Sequence, residues 1–160
     1  MRKWAKRLLW LILIVFVGIQ FVPIDGRSPV VDPKAALHPP PEVETILRAS
    51  CYDCHSDETR WPWYTYVAPV SWWLASHVHE GRENLNFSKW NEMTANKQAD
   101  TLSDIADQVS TGAMPLPLYL TVHRRARLTP EQVRTLTDWT DAAMKQIEAH
   151  SAATPPPATP

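Results

Sequence analysis

Residues 51–55 read Cys-Tyr-Asp-Cys-His, and these two cysteines are the only ones in 160 residues. A C-x-x-C-H run is the pattern of c-type haem attachment. Its spacing has a chemical reason. Two thiols separated by two residues reach the two vinyl edges of one porphyrin and form thioethers. A histidine directly after the second thiol lies under the ring, where its imidazole binds iron. The motif therefore predicts one covalent haem c with its iron, Cys51 and Cys54 as tethers and His55 as proximal ligand. Three other chemistries use paired cysteines. A redox dithiol of the thioredoxin kind needs a strand-helix-strand context, and no such pattern surrounds residues 51–55. A structural zinc site takes four ligands, often from two separated pairs, and two cysteines with one distant histidine are too few. A disulfide across so small a loop stabilises little.

Working outward, the segments on both sides read as helices. Pro41 suits a first helical position, and Val43, Ile46 and Leu47 form an i, i+3, i+4 stripe that delivers the chain to Cys51. Residues 61–66, WPWYTY, form an aromatic loop, because the residue before Pro62 is pushed out of the helical region. Trp61 and Trp63 there either close the core or form a wall of a haem pocket. Ser71 is positioned to cap a helix to about Leu85. Arg82, near its end, suits either a haem propionate or a surface ion pair. Ser88 reads as the cap of a short helix through Trp90. Leu102, Ile105, Ala106 and Val109 mark a helix near 96–111 that Gly112 stops. Residues 112–119, GAMPLPLY, read as a loop. Thr129, Pro130 and Gln132 open a last helix with a capping box. No internal repeat interrupts this order, and residues 42–149 form one expected domain of the all-α class.

The flanks are different. Residues 1–7 are basic and 8–22 read LLWLILIVFVGIQFV. Counted from Trp4 to Ile24, the segment is about 31 Å as a helix, enough for a hydrocarbon core of about 30 Å if Lys6 and Arg7 snorkel. Residues 1–24 are therefore expected to be an uncleaved membrane anchor, with a cleaved signal peptide as the alternative. The basic start keeps the N-terminus cytoplasmic and sends the rest across. The expected location is the bacterial inner membrane, single-pass, with the C-terminal domain in the periplasm. Residues 25–41 read as a proline-rich spacer carrying a solvated His38. Residues 150–160 read as a disordered proline-rich tail. Without Arg2, Lys3, Lys6 and Arg7 the chain keeps 12 basic and 17 acidic residues, a net of −5. That balance excludes nucleic acid as a partner. Six of the eight tryptophans fall in the domain, at 61, 63, 72, 73, 90 and 139, and large flat side chains suit packing around a flat cofactor or within a small core.

The occupant of the second axial position decides what a haem does. The candidates are Met93, Met114, His77, His79 and His123, or an open site. Met114 is favoured. It lies in a loop rather than on a core stripe, Pro115 and Pro117 stiffen that loop, and it follows His55 by 59 residues. A filled sixth position points to an electron carrier with a redox partner protein. A displaceable one points to a peroxidase-like enzyme or a haem-based sensor, although no acid or base residue stands out beside a distal pocket.

CYDCHSDETRWPWY at 51–64, APVSWW at 68–73, HVHEGRENLNFSKW at 77–90 and GAMPLPLY at 112–119 together resemble the bacterial haem-binding domain family of small exported proteins. The resemblance covers most of residues 23–143, with VPIDGRSP at 22–29 part of it. More loosely, the methionine-proline loop followed by LTPEQVRTLTDW at 128–139 is similar to the C-terminal part of class I cytochromes c. That likeness implies methionine ligation by Met114 and a small cytochrome c-like helical domain. The tryptophan-rich middle departs from those cytochromes.

Overall fold

The computed structural model describes residues 2–24 and 29–153. Among these the chain is helical, with no strand. Seven α-helices follow in order: α1 (Arg2–Ile19), α2 (Pro41–Ser50), α3 (Tyr52–His55), α4 (Val70–Asn84), α5 (Ala95–Ser110), α6 (Pro117–Val122) and α7 (Pro130–Ala153). Short 3-10 turns at Trp63–Tyr66, Phe87–Glu92 and Arg124–Ala126 link them.

The core is built where the sequence periodicity places it. Val43, Ile46 and Leu47 of α2 meet Ile105 and Val109 of α5 and Leu136 of α7, and Leu47 and Leu136 are fully buried. The longest helix–helix contact runs between α5 and α7. Thr94 caps α5 by accepting from the Lys97 N–H, and Gly112, at φ +71°, turns the chain away from it. Only glycine adopts that left-handed conformation freely. The capping box of α7 is present: the Gln132 carboxamide accepts from the Thr129 N–H at 2.9 Å, and the Thr129 hydroxyl accepts from the Gln132 N–H at 3.2 Å.

Several expectations give way. The membrane anchor expected over residues 1–24 is not formed as a span. α1 ends at Ile19, about 27 Å long at 1.5 Å per residue, and four of its first six positions are Arg2, Lys3, Lys6 and Arg7. Among the described residues no helix is long and apolar enough to cross a membrane. Past Ile19 the chain tightens into i→i−3 turns ahead of Pro23, which has no N–H to continue a helix, and Gln20 sits at this end. Its carboxamide clamps the backbone of Ala68, donating to the carbonyl at 3.2 Å and accepting from the N–H at 2.9 Å.

The spacer is not simply solvated either. Leu37 N–H donates to Phe87 O and Asn91 N–H to Ala35 O, both at 2.8 Å, so residues 35–37 are bound to the domain while His38 stays exposed. Residues 25–28 of that spacer lie outside the described residues. So does the tail from 154 onward, and α7 continues through 150–153 where the tail was expected to begin. Ser71 is not a cap. It is buried one residue inside α4, which starts at Val70. Asn86, rather than Ser88, caps the turn to Trp90. Finally, part of the expected loop 112–119 is helix, since Pro117 opens α6.

Candidate haem site

The C-x-x-C-H segment is held by its own intervening residues. Tyr52 is buried and stacks on Phe87, with ring centroids 5.1 Å apart, and the Arg48 guanidinium lies 4.7 Å over its other side. Tyr52 thus ties the segment to the core, while Asp53 faces the opposite elements. Cys51 and Cys54 are partly buried free thiols. Burial pushes them up to about 12 and about 11. A redox dithiol works through a thiol of lowered pKa, so these raised values argue against that chemistry. Among the described residues no group of three His, Cys, Asp or Glu side chains is placed to hold a metal ion.

His55 is oriented by the C-terminal end of α4. Its Nδ1 lies 2.9 Å from Gly81 O and 3.2 Å from Leu85 O. A carbonyl only accepts, so Nδ1 carries the proton and Nε2 keeps its lone pair. A ligating histidine has this same arrangement, its second nitrogen donating to a carbonyl that fixes tautomer and ring plane. Burial lowers the pKa of His55, which favours the neutral imidazole that ligation requires. Gly81 makes this approach available. A Cβ there would sit 2.8 Å from Cys54 O, so any larger residue forces α4 off the attachment turn.

Beyond His55, a buried polar cluster holds residues 56–59. Arg82 Nε donates to Ser56 O at 2.8 Å and lies 3.5 Å from Asp57 Oδ1, and Nη2 donates to Thr59 Oγ1 at 3.0 Å. Asn86 donates to Asp57 Oδ1, and Ser88 Oγ accepts from the Asp57 N–H. The structure thus places Arg82 as a clamp on the chain that leaves the motif. Trp61 is partly buried. Trp63 is 78% exposed, edge-on to Tyr64.

Met114 is partly buried between α5 and α6, and its N–H donates to Gln108 O at 3.1 Å. The loop that carries it is tied to the motif by a bond that the sequence reading missed. Tyr119 donates to Asp53 Oδ2 at 2.8 Å. Burial, then the bond to Asp53, raises the Tyr119 phenol well above its ordinary value, so it stays protonated and donates. His123 stacks on Tyr119 at 4.1 Å and lies 3.0 Å from the Tyr64 hydroxyl. Among the other sixth-ligand candidates, His77 Nδ1 donates to Trp73 O, which leaves Nε2 its lone pair as in His55, and His79 pairs with Glu83 on the exposed side of α4.

The sequence profile of the haem-binding domain matches residues 14–142. The chain belongs to that haem-binding domain family. No curated protein and no solved structure matches it. The residues of this haem-binding domain fit the group. The oriented Nε2 of His55 and two thiols at thioether spacing are the donor set it needs. The indole N–H of Trp72 is buried with no acceptor among the described residues, an arrangement that costs about 1–3 kcal/mol. Large apolar side chains stand exposed on the elements that Tyr64, Tyr119 and His123 draw together, among them Trp63, Leu118 and Val122.

Proposed function

We propose that this haem-binding domain is a mono-haem c-type electron carrier. Cys51 and Cys54 hold the haem covalently, and His55 and Met114 are its axial ligands. The observation that carries the reading is the His55 ring, fixed through Nδ1 to Gly81 O and Leu85 O with Nε2 directed away from both. The bound iron supplies a one-electron couple. The protein's own work is to keep His55 neutral and oriented, to present a soft neutral thioether from the Met114 loop, and to surround the group with apolar side chains. A thioether favours ferrous iron and raises the potential relative to a second histidine.

The domain acts on the periplasmic side, where c-type haem is attached, and passes electrons to a separate redox protein. Its N-terminal helix associates with lipid. No residue of α1 is buried among the described residues, and the four cations at its start suit anionic headgroups.

Optical spectra of the haem-loaded protein test the ligand set. The wild type should be low-spin in both oxidation states, with a weak far-red sulfur-to-iron band when oxidised. Met114→Ala should lose that band and bind carbon monoxide when reduced. A wild-type ferrous protein that is high-spin and binds carbon monoxide at once would replace the carrier with an open-site peroxidase or sensor.

A further inference from the structure

Asp53 lies between the two tethering cysteines, and both its carboxylate oxygens are used. Oδ1 accepts from the backbone and the side chain of Arg60, each at 3.3 Å. Oδ2 accepts from Tyr119, 66 residues away in sequence, at 2.8 Å. Tyr119 is the third residue of α6, directly after the loop that carries Met114. That loop therefore has two fastenings. Upstream, Met114 N–H is bound to α5 through Gln108 O. Downstream, the Tyr119–Asp53 bond ties the start of α6 to the attachment motif. Its acceptor is a carboxylate, and a hydrogen bond to an ionised acceptor is about twice as strong as a neutral one. His123 stacks on the ring of Tyr119 with planes 13° apart and is itself bonded to Tyr64, so the tyrosine is held from behind.

We infer that the Asp53–Tyr119 hydrogen bond is the latch that fastens the Met114 loop onto the haem-attachment turn and sets how firmly Met114 holds the iron. Tyr119 is a positioning residue, and the second half of the inference rests on Met114 as axial ligand. A thioether is a weak ligand that competes with exogenous ones. Its advantage is a high effective concentration, which a loop free to swing gives up.

The test uses full-length haem-loaded protein as wild type, Tyr119→Phe and Asp53→Asn. Tyr119→Phe removes one hydroxyl and keeps the ring that stacks on His123. Asp53→Asn keeps a neutral acceptor. Two quantities are read: amide hydrogen exchange of residues 112–123, and the imidazole concentration that bleaches the far-red band. Tyr119→Phe should speed exchange and lower the imidazole midpoint, each by roughly tenfold, the size expected for losing a charge-assisted hydrogen bond. Asp53→Asn should fall between. Exchange and midpoint both unchanged in Tyr119→Phe would overturn the latch. A wild type with no far-red band would instead remove Met114 as ligand, and the exchange arm would then decide the latch alone.

Discussion

Gly81→Ala puts the central contact of the site under direct test. Gly81 lies inside α4 with an ordinary helical backbone, so alanine gains about 1 kcal/mol in helix propensity there. Against this stands the new Cβ, 2.8 Å from Cys54 O and 3.4 Å from Cys54 C. These are backbone atoms that cannot swing aside. Restoring an ordinary separation of 3.4 Å from the oxygen moves α4 roughly 0.6 Å away from the motif. The same movement stretches the His55 Nδ1–Gly81 O bond from 2.9 Å toward 3.5 Å, where little of it remains. Overpacking costs about 1–3 kcal/mol and the lost hydrogen bond about 1 kcal/mol. The net should be a destabilisation of roughly 1–3 kcal/mol, read by urea unfolding of haem-loaded protein at neutral pH. The iron should also become easier to reduce, because a histidine whose donation to Gly81 O is weakened is less basic and supports the ferric form less. A variant as stable as the wild type, or more so, would refute the close packing of α4 on Cys54.

The Arg82 clamp gives a second expectation. Its guanidinium and the Asp57 carboxylate are 11% and 4% exposed, so Arg82→Met strands a buried carboxylate and should cost about 3 kcal/mol in urea unfolding. A loss below about 1 kcal/mol would make the pair ornamental. The acid sensitivity of His55 follows from its lowered pKa. As pH falls, the unfolded chain binds this proton first. His55 therefore contributes stability above its unfolded value of about 6.5, and that contribution is lost as pH falls through the lower folded value. A haem-free Cys51→Ala, Cys54→Ala protein should show this loss in thermal melts across that window, and adding His55→Gln should flatten it. In cell fractionation the full chain should sediment with membranes and a chain lacking residues 1–22 should not; equal recovery in the soluble fraction would detach α1 from lipid.

Much of the fold could be read locally. The stripes at Val43, Ile46 and Leu47 and at Leu102, Ile105 and Val109, and the Thr129–Gln132 capping box, are determined by residues within a few positions of one another. The C-x-x-C-H chemistry is equally local. What stayed hidden depends on residues distant in sequence. Arg82 is committed to Ser56 and Thr59 more than twenty residues upstream, so its sequence neighbourhood could not distinguish a clamp from a propionate partner. Tyr119 and His123 gain their place only through Asp53 and Tyr64. The clamp of Gln20 on Ala68 likewise joins residues 48 apart. The hydropathy of residues 8–22 carried no sign of it. Gly81 did leave a trace: a glycine inside an otherwise good helix often marks a close approach, and here the approach is to Cys54.

Covalent attachment at Cys51 and Cys54 is the claim on which the rest depends, and the intact mass of the denatured protein measures it most directly. A chain carrying the mass of one haem, lost only in the Cys51→Ala, Cys54→Ala protein, is the predicted result. An unmodified chain whose haem separates in acidic acetone would contradict it.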